Sequence, residues 1–221
     1  MGRGWERVYD ESDYDRRAYL GGEEMVDCLS RFVDRFGPFE DVVSVGCGPA
    51  VVPFALAERR PSISITGLDA AEPVVTDNRD LAAERGLENL SFAVDTLPDL
   101  DVDRQFDLVY CVATLYFVRE AERAVERLFE HVRPGGYLVL NYPNERTRSW
   151  ARENGADKTV DFSLVAEGEN VLSRDGIGRL LGAEPRDYWT AVDAADADFA
   201  TSDTPMVYVE RPDDGDTKPS G

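Results

Sequence analysis

Lysine is nearly absent from this chain of 221 residues, and histidine occurs once. Lys158 and Lys218 are the only lysines, and 44 acidic residues against 24 basic ones give a net charge of −20. Phosphate backbones repel such a protein unless it has a local basic patch. The arginines of this chain are scattered among acids, so no such patch is expected. Nucleic acid is therefore not an expected partner.

The acidic excess is also typical of proteins from a high-salt cytoplasm. At about 1 M ionic strength the Debye length falls to roughly 3 Å, so that repulsion between surface charges is screened. We interpret the composition as halophilic adaptation, with an ordinary acidic protein as the alternative.

Cysteines and long apolar runs are scarce as well. Cys28, Cys47 and Cys111 are widely spaced and form no Cys-x-x-Cys pair, which argues against a disulfide framework or a zinc knuckle. The start of the chain carries no apolar signal core, and no run of about 18 apolar residues occurs. We expect a soluble, cytoplasmic protein with free thiols and no membrane partner.

The most informative stretch is Asp41 to Ala50, with the sequence DVVSVGCGPA. Its valines suit a buried strand, Gly46 and Gly48 allow a tight turn with close backbone approach, and Pro49 fits the first turn of a helix. The pattern predicts a strand, a loop whose free N–H groups face a ligand, and a helix. A plain strand-to-helix turn is the alternative.

Residues missing from this loop narrow the choice of ligand. A dinucleotide fingerprint requires glycine three residues after Gly48, where the chain has Val51. A P-loop requires Gly-Lys-Ser/Thr, and no lysine is near. A ligand with little negative charge remains, such as the amino-acid end of S-adenosylmethionine (SAM).

At this loop the chain resembles the class I SAM-dependent methyltransferases, whose first motif is hydrophobic-x-acid-x-Gly-x-Gly-x-Gly. The resemblance implies that Gly46, Cys47 and Gly48 contact the cofactor. The family's acid falls on Ser44 here and its last glycine on Ala50, a replacement that the family often tolerates. The Ser44 departure puts in doubt one hydrogen bond near the methionine end of SAM.

A predicted second strand, 62–68, ends at Asp69, which follows Gly48 by 21 positions. About 20 positions are typical before an acid that binds ribose hydroxyls. In the family that acid holds the SAM ribose, so the resemblance assigns this role to Asp69, with Ala70 beside it. A helix N-cap ahead of 70–85 is the alternative.

The next two predicted strands carry further family motifs. Strand 91–94 is followed by Asp95, where the family's third motif has an acid that accepts from the adenine amino group, and Thr96 comes next. A turn residue is the alternative for Asp95. Strand 105–113 has the family's Phe-Asp-hydrophobic-Val signature, and its end, at Cys111, lines the cofactor pocket in that family.

The most specific companion motif is VRPGGYLVLN at 132–141, which matches the family's helix end, Pro-Gly-Gly turn and fifth strand. It follows an amphipathic stretch, 119–132. Further on, 173–181 is predicted as a capped helix, and 187–192 and 205–210 as the two strands of a closing hairpin.

The resemblance, which covers 42–141, implies a Rossmann-like, doubly wound α/β fold. Its sheet is seven-stranded and mostly parallel, with an antiparallel C-terminal hairpin strand and helices on both faces. It implies an N-terminal helical segment covering the cofactor site (1–40), a SAM-binding domain (41–211) and a disordered acidic tail (212–221). Tyr14 is a candidate contact to the SAM carboxylate or the substrate, with aromatic packing as the alternative.

The chemistry that the resemblance implies is methyl transfer from a sulfonium to a nucleophile. Alignment and desolvation can supply much of the rate, so no catalytic residue is assigned, and His131 is predicted to be structural. The chain has neither the Pro-Pro motif of DNA amino methylation nor the paired carboxylates of magnesium-assisted enzymes, so no metal is predicted. We expect a haloarchaeal-like, small-molecule type. Aromatic candidates for its acceptor pocket are Tyr116, Phe117, Tyr142 and Trp150.

Two alternative functions stay open. A SAM-fold binding or regulatory module without transferase activity is favoured by Ser44. An NAD-dependent oxidoreductase is disfavoured by Val51 and by the Pro-Gly-Gly motif.

Overall fold

The computed structural model describes residues 22–155, 158 and 160–213. The strands are β1 (Asp41–Val45), β2 (Ser64–Asp69), β3 (Leu90–Val94), β4 (Phe106–Cys111), β5 (Val132–Asn141), β6 (Arg186–Asp187) and β7 (Met206–Glu210). The helices are α1 (Gly22–Phe36), α2 (Val51–Arg59), α3 (Glu72–Glu84), α4 (Ala121–Glu130), α5 (Glu145–Asn154), α6 (Ser163–Glu167), α7 (Arg174–Leu181) and α8 (Tyr188–Ala191), with a 3₁₀ turn at Leu115–Phe117. None of these helices is long and apolar enough to cross a membrane. Tyr14, most of the predicted segment 1–40 and nearly all of the tail 212–221 lie outside the described residues.

The strands form one sheet in the order β3-β2-β1-β4-β5-β7-β6. The first five strands pair in parallel, and β7 runs antiparallel to both of its neighbours. This arrangement confirms the predicted Rossmann-like, mostly parallel, seven-stranded sheet. The strand order reverses between β1 and β4, which is the position where open α/β sheets bind ligands.

Apolar side chains of the central strands point alternately into two cores, one on each face of the sheet. Val42 packs with residues of α1, α2 and α8, whereas Val43 and Val45 pack with residues of α4 and α7. Strands that are covered on both faces read as nearly continuous valine and leucine runs, which is why β1 could be recognised in the sequence. Helices therefore cover both faces, as predicted.

The predicted strand 187–192 is present only as the two residues of β6, which pair antiparallel with β7, because the chain after Asp187 turns into the short helix α8. The Asp187 carboxylate accepts a hydrogen bond of 2.7 Å from the Thr190 backbone N–H, which caps the helix at its first turn. Tyr188 and Trp189 are buried in the core beneath α1. The closing hairpin of the family predicts a strand over these residues, but a cap and tertiary burial select a helix.

The Pro-Gly-Gly motif lies inside β5 rather than in a turn before it. Gly135 has a φ of 74°, and the register shifts from Phe106 opposite Val132 to Leu108 opposite Tyr137. The motif is therefore an irregularity within the pairing of β4 and β5, where glycine supplies the positive φ that the backbone requires.

Asp107 joins three strands at the amino edge of the sheet, opposite the glycine loop. Its carboxylate accepts from the backbone N–H groups of Glu40 (2.7 Å) and Asp41 (2.8 Å) and from the Arg133 guanidinium (2.8 Å). Arg133 also donates to the Asp41 carboxylate at 2.6 Å. Burial opposes ionisation of Asp107, but these hydrogen bonds hold its pKa below the ordinary value.

Candidate functional site

The loop after β1 is clasped by the loop after β4. Gly46 has a φ of 67°, and a Cβ at this position would collide with the Thr114 side chain. The Thr114 hydroxyl lies within hydrogen-bond distance of the carbonyls of Val45 and Gly46, both at 3.3 Å. Glycine is therefore required here for the close approach of two loops as well as for its backbone angle.

The N–H groups of the glycine loop are mostly engaged within the protein. Cys47 N–H donates to Leu68 O and Ala50 N–H to Cys47 O, both at 2.9 Å, and Gly48 N–H donates to the Asp69 carboxylate at 2.8 Å. The prediction that these groups are free to face a ligand is wrong for all three. They shape the loop, and the ligand surface must come from other atoms.

The prediction that Pro49 begins the helix is also wrong, since α2 starts at Val51. Ala50 has a left-handed φ of 58°, and its carbonyl accepts from Phe54 N–H at 3.0 Å. A left-handed angle at this position explains why glycine suits it in the motif, and the chain accepts alanine there at some cost in strain.

Asp69 links the glycine loop to the start of α3. One carboxylate oxygen accepts from Gly48 N–H, and the other accepts from Ala71 N–H at 3.0 Å. Because the helix begins at Glu72 with Ala71 as its N-cap, Asp69 is not the cap. Burial raises the pKa of Asp69 against the lowering effect of these hydrogen bonds. Each carboxylate oxygen can accept a second hydrogen bond, so the acid retains capacity for a ligand.

Asp95 lies beside Asp69 at the carboxyl edge, because its backbone N–H donates to Asp69 O at 3.0 Å. Its carboxylate accepts from the backbone N–H groups of Thr96 (2.8 Å) and Asp101 (3.2 Å). The side chain thus has the turn-supporting role that was the alternative in the sequence. Asp95 is half-buried and Thr96 exposed, so the edge of this loop is accessible.

The two cysteines of the predicted site have their side chains in the core. Cys47 is 2% exposed and Cys111 fully buried. Burial raises the pKa of both thiols, that of Cys111 to about 12, and the Asp69 charge adds to the effect on Cys47. Both are neutral thiols near pH 7, and only their backbone atoms can line a site.

Asn78 is a site residue that the sequence did not reveal. It lies on α3, is fully buried, and donates from its side-chain amide to Gly48 O at 2.7 Å. The available signal was an amide at a position of α3 that faces the sheet, where an apolar residue is typical. Asn78 and Asp69 together hold both polar groups of the Gly48 backbone.

Of the four predicted pocket aromatics, three come together and one does not. Tyr116, Phe117 and Trp150 surround Phe162, whose ring centroid lies 5.2 to 6.5 Å from theirs. Tyr142 is buried in the core that also contains residues of α4 and α7, although it contributes, after burial, to the raised pKa of Tyr116. The aromatic cluster lies beyond the carboxyl ends of β4 and β5.

His131 is placed away from these groups, as predicted. It is the C-cap of α4, and its ring nitrogens lie 2.7 Å from Arg127 O and 2.9 Å from Val102 O. Among the described residues, no three His, Cys, Asp or Glu side chains are arranged to hold a metal ion.

The residues at the carboxyl edge fit the functional groups of SAM. Adjacent strand ends supply two carboxylates, Asp69 and Asp95, and a carboxylate can accept hydrogen bonds from hydroxyl or amino groups. Ala70 and Thr96, which follow them, have small side chains. Gly46 and Gly48, at φ of 67° and 48°, bring backbone close without side chains.

Comparisons with known proteins agree with this arrangement. The family described as Methyltransferase domain matches residues 40–181. A trans-aconitate 2-methyltransferase from Pseudomonas paraeruginosa is 28% identical over 189 residues, covering 80% of this chain and 66% of that protein. Matches to two other curated methyltransferases cover 39% and 62% of their lengths. The chain thus spans less than two thirds of each.

Two solved structures share the fold. A putative methyltransferase of Haloferax volcanii, solved in complex with the Trm112 methyltransferase activator, has a TM-score of 0.67 at 17% identity and covers 96% of this chain and 99% of its own. Magnesium protoporphyrin IX methyltransferase from Synechocystis PCC 6803, with bound SAH, has a TM-score of 0.64 at 16% identity and covers 94% and 92%.

The match of the family over residues 40–181, on a seven-stranded sheet of this order, shows that the chain belongs to the class I SAM-dependent methyltransferases.

Proposed function

We propose that this protein transfers the methyl group of SAM to a small-molecule acceptor. The observation that carries the proposal is the paired arrangement of Asp69 and Asp95 at neighbouring strand ends, with Asp69 bonded to the Gly48 backbone. SAM carries its methyl group on a sulfonium, and the sulfur is a good leaving group when the acceptor attacks the methyl carbon. The protein's task is then to hold cofactor and acceptor in line and to exclude water.

The proposed cofactor contacts follow from the positions of the residues. Asp69 accepts from the ribose hydroxyls with Ala70 beside the sugar, and Asp95 accepts from the adenine amino group with Thr96 beside the ring. Backbone atoms complete the site. They belong to Gly46, Cys47, Gly48 and Cys111. Tyr14 stays a candidate for the methionine end.

The acceptor is proposed to bind beyond the ends of β4 and β5, beside the aromatic cluster. Relatives of this chain are named for trans-aconitate, malonyl-acyl carrier protein and ubiquinone biosynthesis. Two of these relatives are named as O-methyltransferases, and trans-aconitate carries carboxylate oxygens. A panel of carboxylates and phenols, starting with trans-aconitate, is therefore the appropriate first set.

Binding calorimetry with SAM, S-adenosylhomocysteine and NAD tests the proposal. We expect both adenosyl ligands to bind and NAD not to bind. If neither adenosyl ligand binds, the proposal fails. Binding of SAM without methyl transfer to any acceptor in a broad panel would instead support the alternative of a regulatory module.

The setting that we propose for this activity is a cytoplasm of high salt concentration. The net charge of −20 and the near absence of lysine support it. In such a medium the Debye length is only a few ångströms, so the acidic surface stays hydrated without strong self-repulsion.

A further inference from the structure

Two buried asparagines hold the loop that follows β4. Asn170 is 2% exposed, and its side-chain amide donates to the carbonyls of Leu115 and Tyr116, both at 2.9 Å. Asn141, the last residue of β5, accepts from Ala113 N–H at 2.8 Å. Burial of polar side chains is costly unless they are hydrogen-bonded, so these amides give this loop one defined conformation.

Asn141 also fixes the direction of the hydrogen bond at the Tyr116 hydroxyl. Because its side-chain oxygen receives the Ala113 N–H, its nitrogen must be the atom that lies 3.2 Å from the Tyr116 hydroxyl. An amide nitrogen can only donate, so the phenol oxygen accepts and its own proton points elsewhere. Within the described part of the chain, the structure shows no acceptor for that proton.

The position of Tyr116 places this donor near the proposed cofactor site. Thr114, two residues earlier on the same loop, contacts the carbonyl of Gly46 in the glycine loop. Asn141 ends the strand next to β4, at the same carboxyl edge. The Tyr116 ring packs in the aromatic cluster with Phe117 and Phe162, so the hydroxyl is held between this cluster and the strand ends.

The protonation of the nearby phenols limits which acceptor the site can serve. Burial, with a smaller contribution from Tyr142, raises the pKa of Tyr116, and burial raises that of Tyr142. Both hydroxyls are protonated near neutral pH and act as donors rather than bases. A carboxylate is already ionised at that pH and needs no proton removed, whereas a phenol acceptor has a pKa of about 10.

We propose that the Tyr116 hydroxyl donates a hydrogen bond to the acceptor, that Asn141 is the positioning residue that directs this donor, and that the acceptor group is a carboxylate. This inference rests on the proposed function, because it assigns the acceptor side of the same site. Calorimetry with the cofactor product and the acceptor in turn distinguishes failure of one from failure of the other.

The experiment is calorimetry on the full chain saturated with S-adenosylhomocysteine, titrated with trans-aconitate and with a panel of mono- and dicarboxylates. We expect at least one carboxylate to bind to wild type and Tyr116→Phe to weaken it at least tenfold, with the affinity for S-adenosylhomocysteine changed less than twofold. The trimethyl ester of trans-aconitate, which has no free carboxylate, is expected not to bind. Tyr188→Phe is the matched control: it removes a fully buried hydroxyl that has no partner among the described residues, and it should change neither affinity.

Asn141→Asp tests the positioning role. Aspartate still accepts from Ala113 N–H, but it also accepts the Tyr116 proton and withdraws that donor from the substrate. We expect a loss similar to that of Tyr116→Phe, and less than a twofold further loss when the two changes are combined. If the losses of affinity in the two single variants add in the double variant, the new aspartate acts by repelling the carboxylate with its charge. That outcome would overturn the positioning role of Asn141.

Other outcomes separate the inference from the proposed function. If S-adenosylhomocysteine does not bind to wild type, the proposed function fails. If it binds but no carboxylate does, the carboxylate assignment fails alone. If carboxylates bind equally well to wild type and Tyr116→Phe, the role of Tyr116 is refuted.

Discussion

At the scale of single residues, the candidate site depends on polar side chains that hold the backbone of one loop. Asp69, Asn78 and Thr114 each hydrogen-bond to the backbone of the glycine loop. These hydrogen bonds explain why the loop keeps its shape although its motif departs from the family at Ser44 and Ala50. Ser44 itself is buried within β1, only 7% exposed.

Replacing Asp69 with alanine is expected to weaken SAM binding at least tenfold, about 1.4 kcal/mol, because charge-assisted hydrogen bonds to the ribose are lost. Calorimetry on the variant measures this directly. Asp187→Ala is the control, since it removes a carboxylate that caps α8 and lies on β6, an outer strand separated from β2 by four other strands. An unchanged dissociation constant for Asp69→Ala would refute the ribose assignment.

The pH dependence of SAM binding should also report on Asp69. Its pKa is raised above the ordinary value of 3.8, so its ionised form is lost at a higher pH than that of an exposed carboxyl. We expect SAM affinity to fall as pH falls through this raised pKa, and to stay level in Asp69→Asn. The sign for stability is opposite: protonated Asp69 favours the folded state, and this contribution is lost as pH rises through the raised pKa. A level profile in wild type would contradict the assignment.

At the scale of secondary-structure elements, the two edges of the sheet have different tasks. The carboxyl edge holds the loops of the candidate site, and the amino edge holds β1, β4 and β5 in register through Asp107. One acid there satisfies two backbone N–H groups and an arginine. The register that Asp107 maintains positions the glycine loop at the opposite end of β1.

Asp107→Ala is expected to lower the free energy of unfolding by about 1 to 3 kcal/mol, because two backbone N–H groups and Arg133 lose their shared acceptor. Since the pKa of Asp107 is lowered, its stabilisation is present above the ordinary value and is lost as pH falls through the lowered pKa. Urea unfolding at neutral and acidic pH measures both effects. Asp103→Ala, at an exposed loop position, should leave the unfolding curve unchanged. Equal curves for both variants would refute the role of Asp107.

The elements that the sequence predicted best are those whose pattern is local. Buried parallel strands appear as apolar runs, and the capped helix predicted at 173–181 is present as α7, with Ser173 as its N-cap. The errors at α8 and at the Pro-Gly-Gly motif arise where contacts distant in sequence select the conformation. Tyr188 packs against Phe32 of α1 at a centroid distance of 5.4 Å, and no local pattern encodes that contact.

At the scale of the whole molecule, charge is the dominant feature. The ion pairs of the described residues use arginine as the cation, for example Arg59 with Asp27 and Arg85 with Glu58. Such exposed pairs contribute about 1 kcal/mol or less each and are screened by salt. The remaining acids outnumber their partners, so repulsion among them opposes folding at low ionic strength.

We therefore expect the free energy of unfolding to be higher in about 2 M KCl than in about 0.1 M KCl, since the Debye length falls from roughly 10 Å to below 3 Å. Chemical unfolding at both concentrations measures the difference. A variant with Glu122→Lys and Glu126→Lys, at two exposed positions on α4, should gain less from salt. Equal stability of the wild type at both concentrations would refute halophilic adaptation.

The sequence by itself determined the family, the parallel core of the sheet and the order of its motifs. These depend on residue types at fixed spacings, such as valines before Gly46 or an acid 21 positions after Gly48. Such spacings can be read along the chain without knowing which residues are in contact. Only the tertiary structure decided which polar groups are available to a ligand. The N–H groups of Cys47 and Gly48 are engaged by Leu68 and Asp69, because β1 and β2 end side by side at one edge of the sheet. The same long-range packing brought Asn141 and Asn170 to the loop of Tyr116, which no periodicity along the chain could show.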